Sequence, residues 1–70
     1  MKVQYDKQAD ALYIYLAPGP VKKTVRGGRN VLVDLDEKNR IVGVEFYKIS
    51  RSVPKEKLRN ISIELPTLTT

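Results

Sequence analysis

From Lys2 to Asp6 the chain alternates, with Val3 and Tyr5 on one side and Lys2, Gln4 and Asp6 on the other. Alternation at period two marks a strand with two unlike faces. A polar connection, Asp6 to Asp10, leads into a second run in which Leu12, Ile14 and Leu16 point one way and Tyr13 and Tyr15 the other. The Asp6 carboxylate is placed to accept from backbone N–H groups about two residues on, which closes the turn. Pro18-Gly19-Pro20 ends this second strand, because proline has no N–H to give to a ladder. Residues 21–26 read as a polar, lysine-rich third strand, suited to an edge where charge discourages stray pairing.

Gly27-Gly28 reads as a flexible break before a strand at 30–35, with Val31, Val33 and Leu35 on one face. Asp36-Glu37-Lys38-Asn39 is a turn, and Asn39 tolerates the left-handed backbone such turns need. The next strand, 40–49, is the most apolar: Val42, Val44 and Phe46 share one face, and Ile41, Gly43, Glu45, Tyr47 and Ile49 the other. Gly43 in mid-strand predicts a bulge or the close approach of another group. Beyond it, Ser52 to Arg59 predicts a short α-helix near residues 54–59, with Pro54 in its first turn and Asn60 ending it in the left-handed state. Ile61, Ile63 and Leu65 alternate with Ser62 and Glu64, which predicts a last strand, and a frayed tail follows from Pro66. The fold class is therefore mainly β with one short helix. It is an antiparallel meander sheet of about five to six strands, because hairpin-length connections favour antiparallel neighbours.

YDKQADALYIYL, followed by NVLVDLDEKNRIVGVEF, resembles the prokaryotic domain-of-unknown-function 2283 family, whose members look like YDxxADxLYI and then VDxDxxxxIVGIE. The resemblance covers residues 3–49 and leaves 52–65 as a C-terminal helix–strand extension of one small domain, 1–70. It implies a fold and a size, not a reaction. Some relatives are encoded beside small toxin-like proteins, which implies a toxin-neutralising partner role as an expectation.

Composition narrows the chemistry. Seventy residues lie near the lower limit for a free-standing core, and without cysteine there is no disulfide or thiolate metal site to help. The absence of histidine removes the commonest metal ligand and general base. Ser50, Ser52 and Ser62 then have no activating partner of the usual kind. The acidic residues Asp6, Asp10, Asp34, Asp36 and Glu45 are the one cluster that could gather an oxygen-ligated cation or share acid–base work. Turn-closing hydrogen bonds account for most of them more simply. The expectation is a non-enzyme with no cofactor, no metal and no catalytic residue.

A chain this small and unstapled is expected to bury apolar surface by pairing with itself. Leu12, Ile14, Val33, Val44 and Phe46 form one apolar face, and the residues assigned to an interface are those of the other: Tyr13, Tyr15, Leu32, Ile41, Tyr47 and Ile49. The net charge of +5 concentrates in two stretches, Lys22, Lys23, Arg26 and Arg29, and Lys48, Arg51, Lys55, Lys57 and Arg59. The first of these, beside exposed tyrosines, gives the alternative of a nucleic-acid-binding domain. Met1-Lys2 runs straight into a strand pattern, and no apolar run approaches a membrane span, so a cytoplasmic protein is expected.

Overall fold

The computed structural model describes residues 1–64 and is built on one five-stranded antiparallel sheet, in the order β1-β2-β5-β4-β3. The strands are β1 (Lys2–Asp6), β2 (Ala11–Tyr15), β3 (Lys23–Gly28), β4 (Val31–Leu35) and β5 (Ile41–Tyr47). Short turns join β1 to β2, β3 to β4 and β4 to β5. The connection 16–22 instead carries the chain along one end of the sheet to its far edge. It is pinned there: the Leu16 and Ala17 N–H groups both donate to the Val42 carbonyl, at 2.9 and 3.2 Å, and the Lys22 N–H donates to the Leu35 carbonyl at 2.7 Å. β5 then enters between β2 and β4.

Register fixes which residues share a face, because directly opposed side chains lie on the same side. Leu12 faces Phe46 and Ile14 faces Val44 across β2 and β5; Val33 faces Val44 across β4 and β5. Val3 and Tyr5 extend this apolar face onto β1, opposite Ile14 and Leu12. The other face carries Tyr13 opposite Glu45, Tyr15 opposite Gly43, and Leu32 opposite Glu45.

The shift in register between Asp34 and Leu35 leaves Val42 as an extra residue on β5, so Ile41 and not Val42 opposes Leu35. Val42 is buried and Ile41 is half exposed. A second shift lies between Arg26 and Gly28, so the glycine pair sits inside a bulged β3 rather than in a break, and Arg29-Asn30 makes the turn. A Cβ at Gly27 would lie 2.7 Å from Val33 Cγ2, which explains glycine at the bulge.

The C-terminal part departs from the sequence reading. In place of an α-helix there are two 3₁₀ turns, η1 (Ile49–Arg51) and η2 (Lys55–Arg59). Pro54 is extended (φ −58°, ψ 142°) and precedes η2 instead of starting it, and no side chain caps the turn. Five residues without a cap offer too little to offset the cost of an α-helical nucleus. Asn60 (φ −123°, ψ 85°) is likewise not left-handed. Residues 61–64 form no strand, since alternation alone supplies no ladder partner, and Leu65 lies outside the described residues.

Ile49 also leaves the sheet. Lys48 is left-handed (φ 54°), which ends the alternation of β5 and turns Ile49 inward. It is one of only three buried large apolar residues among those described, with Leu12 and Val42, and no side chain is fully buried.

Candidate functional site

The face bearing the tyrosines is tied together across four strands. The Tyr13 ring, from β2, lies over Gly43 of β5, where a Cβ would stand 2.7 Å from the ring's Cζ. Its hydroxyl thereby reaches β4 and donates to Asp34 Oδ2. Thr24 on β3 donates to the other oxygen, Oδ1, at 2.6 Å. Glycine at 43 is thus the close approach that its mid-strand position predicts. Burial, and then the bond to the Asp34 carboxylate, push the Tyr13 phenol up to about 12. Tyr15 packs against Tyr13 with ring centroids 4.4 Å apart and carries the Lys2 ammonium 5.7 Å above its ring. Further along, Arg26 Nη2 donates to the Tyr47 hydroxyl at 2.8 Å, and that hydroxyl donates to the Arg29 carbonyl at 2.8 Å.

The remaining aspartates close turns. Asp6 Oδ1 accepts from the Gln8 and Ala9 N–H groups at 3.0 and 3.2 Å. Asp36 Oδ1 accepts from the Lys38 and Arg40 N–H groups, both at 2.9 Å, and Oδ2 pairs with Arg40 Nε at 2.9 Å. Those backbone donors, led by Arg40, hold the Asp36 carboxyl below its ordinary value. Asn39 in the same turn is left-handed, φ 62°.

Asp10 does more than close its hairpin. Itself left-handed (φ 52°), it accepts from the Tyr5 hydroxyl at 3.1 Å, from the Ser50 hydroxyl at 2.6 Å, and from the Ser50 N–H at 3.2 Å. Its own carbonyl accepts from the Ile49 N–H at 3.0 Å. The Ser50 hydroxyl leads the effects that hold this carboxyl below its ordinary value. Asp10 is therefore the clasp that fixes η1 to the first hairpin, forty residues away in sequence. Sequence alternation carries no signal for such a contact.

These partners decide what the acidic residues can do. Asp34 and Glu45 are not opposed: Asp34 faces Gly43 and Glu45 faces Leu32, which leaves them diagonal on one face. Arg40 goes to Asp36, not to Asp34. Among the described residues no three carboxylates come together. Ser50 spends its hydroxyl on Asp10.

The residues assigned to an interface divide. Tyr13, Tyr15, Leu32 and Tyr47 share the tyrosine face, where Tyr13 and Tyr47 are engaged in the hydrogen bonds above. Ile41 sits at the β5 bulge, and Ile49 is the buried first residue of η1. The four cations grouped by sequence also separate. Lys22 and Lys23 stand at one end of β3, Arg26 is held by Tyr47, and Arg29 is in the turn at the other end. The apolar face is open as well: Val3, Ile14, Val31, Val33 and Val44 are each only partly buried, and Val25 is 40 % exposed, much as Tyr15 is on the tyrosine face.

A family model described as "Protein of unknown function (DUF2283)" matches residues 2–50. The chain belongs to this family. No curated protein and no solved structure matches it. The DUF2283 match ends at Ser50, the residue that Asp10 clasps. The family unit is thus the whole sheet plus the contact that fixes η1, and η2 lies beyond it.

Proposed function

We propose that this DUF2283 chain is a non-enzymatic interaction module that pairs with a second copy of itself through the apolar face of its sheet. The observation that carries this reading is the shallow core. Only Leu12, Val42 and Ile49 are buried among the large apolar residues described, and the two 3₁₀ turns reach the sheet only at the end where Asp10, Tyr5 and Asn30 lie.

The area supports a second copy. Five strands at about 4.8 Å spacing and about 18 Å of length give roughly 430 Å² of face in projection. Two such faces bury at most roughly 860 Å² between them, and area of this size does not convert directly into affinity. The interface lies at the low end of specific complexes, so the expected dissociation constant is in the micromolar range. A two-fold pairing would use the same patch on both copies and so needs no other partner.

Sedimentation equilibrium across the micromolar range tests it. The expected result is a monomer–dimer equilibrium that Val33→Asp or Val44→Asp shifts to monomer. Lys38→Asp, in the β4–β5 turn away from the face, should leave it unchanged. A folded 8.0 kDa monomer at all concentrations, with concentration-independent melting, refutes the proposal.

A further inference from the structure

The topology gathers charge that the sequence scatters. The β1–β2 turn, the β3–β4 turn and the C-terminal end of β5 all lie at one end of the sheet, since Ala11 pairs with Tyr47 and Val31 with Phe46. Lys7 belongs to the first turn and Arg29 to the second. The segment that follows β5 is held at this same end by Asp10, and it carries Lys48, Arg51, Lys55, Lys57 and Arg59. All seven of these cations are exposed. Among the described residues up to Arg59, the acidic residues at this end are Asp6, Asp10 and Glu56, so seven positive against three negative groups give this end a charge of +4.

Two of those three carboxylates are already engaged by hydrogen bonds within the chain. Asp6 is bonded to the Gln8 and Ala9 N–H groups, and Asp10 to Tyr5 and Ser50. None of the seven cations has an ion-pair partner among the described residues; the single ion pair there, Arg40 with Asp36, lies at the opposite end. Leaving so many cations together unpaired costs self-repulsion, which a polyanion relieves.

We propose that this end of the sheet is a binding site for the phosphate backbone of a nucleic acid, independent of the self-association above. The turns at β1–β2 and β3–β4 stand about three strand spacings apart, roughly 14 Å, with the η1–η2 cations between and beside them. That spread suits several phosphates along a duplex rather than one small anion. The β1–β2 and β3–β4 turns carry no exposed large apolar side chain; the exposed Ile61 and Ile63 follow η2, and the spread of cations over three separate segments is what favours a nucleic acid over a membrane surface. Tyr5 and Tyr47, which lie at this end, give their hydroxyls to Asp10 and to the Arg29 carbonyl and are only partly exposed, so the contact is assigned to the backbone through the cations and not to stacked bases.

Fluorescence anisotropy with a labelled mixed-sequence DNA duplex of about 20 base pairs tests it at several salt concentrations. The expected result is binding whose logarithm falls with log salt at a slope of about −4.5, from about five phosphate contacts. The triple variant Lys55→Gln/Lys57→Gln/Arg59→Gln should bind at least about tenfold more weakly at low salt with a shallower slope, while Lys22→Gln/Lys23→Gln at the other end stays within about twofold. Should the triple variant not fold, Lys7→Gln/Arg29→Gln reports on the same end from two different turns. Three outcomes overturn the proposal: no duplex binding at about 50 mM salt, equal weakening by the Lys22/Lys23 control, or binding to phosphatidylserine vesicles with none to the duplex.

Discussion

Gly43→Ala is the sharpest perturbation of this sheet. A methyl at 43 would lie 2.7 Å from Tyr13 Cζ and 2.9 Å from Cε1. Carbons need about 3.5–4.0 Å, so the ring must swing outward by about 1 Å, carrying its hydroxyl away from Asp34. Overpacking of this kind costs about 1–3 kcal/mol. Because the ring can move toward solvent, the lower half of that range applies. Opposing it, an alanine narrows the unfolded ensemble and returns about 0.4–1 kcal/mol. The net expectation is a loss of about 1 kcal/mol, read as a fall in Tm of about 4–8 °C for a domain this small.

A double-mutant cycle isolates the cause. In a Tyr13→Val background the methyl meets no ring, and Gly43→Ala should then stabilise, by about 0.4–1 kcal/mol. Protein concentration is held fixed, because the proposed self-association would shift apparent stability. The phenol gives a second readout: in Gly43→Ala its pKa should drop from about 12 toward the ordinary value of 10.0, followed by near-ultraviolet absorbance. If Gly43→Ala is equally damaging with Val at 13, the ring does not explain the glycine and the reasoning fails.

Two pH predictions follow from the same groups. The Tyr13 pKa is raised in the fold, from 10.0 to about 12, so the native state keeps a proton that the unfolded chain gives up. Stability should be full below pH 10 and decline as pH rises toward 12, and Tyr13→Phe should flatten that decline in thermal melts. Asp10 is shifted the other way, below 3.8, so its contribution is present above that pH and lost as pH falls through the lowered value. Asp10→Asn should weaken the acid dependence and speed hydrogen exchange at the Ile49 and Ser50 amides, while the β4–β5 amides keep their protection. Unchanged exchange at Ser50 would show that Asp10 is not the clasp.

Much of this fold was legible in the residues. Period-two alternation located β1, β2, β4 and β5, each of which has an apolar side to satisfy, while β3 was legible only from its charged composition, two residues early, and the alternation from Ile61 gave no strand at 61–64; Asp6 and Asn39 revealed their turns because the chemistry there is local. Gly43 announced a close approach, although only the register could show that Tyr13 makes it. The C-terminal segment misled for a physical reason. Pro54 and a polar run suit a helix start, yet five residues with no cap and little apolar surface settle for a 3₁₀ turn. Ile49 read as a strand residue because nothing in its neighbours marks Lys48 as left-handed. The candidate surfaces suffered most. Sequence neighbours such as Lys23 and Arg29 end up at opposite ends of β3, and Lys7 joins cations some fifty residues later. Charge grouping is a property of the topology, not of the run.

The apolar face and the basic end are perpendicular surfaces, and this constrains how two copies can pair. Stacked sheets lie about 10 Å apart, and an in-plane two-fold axis can run along the strands or across them. Along the strands, two ends of +4 would stand within one Debye length, about 10 Å at 0.1 M salt, and repel. Across the strands, they lie at opposite ends of a face about 18 Å long and are screened from each other. The crossed arrangement is therefore expected, with one basic site at each end of the dimer. Its dissociation constant should change by less than about threefold between 0.05 and 0.5 M salt, apart from the weak strengthening of apolar contact. Sedimentation equilibrium at the two salts decides it. A dimer that tightens tenfold or more with salt, and tightens again when a DNA duplex is added, would place both basic ends together and make pairing and polyanion binding one linked equilibrium.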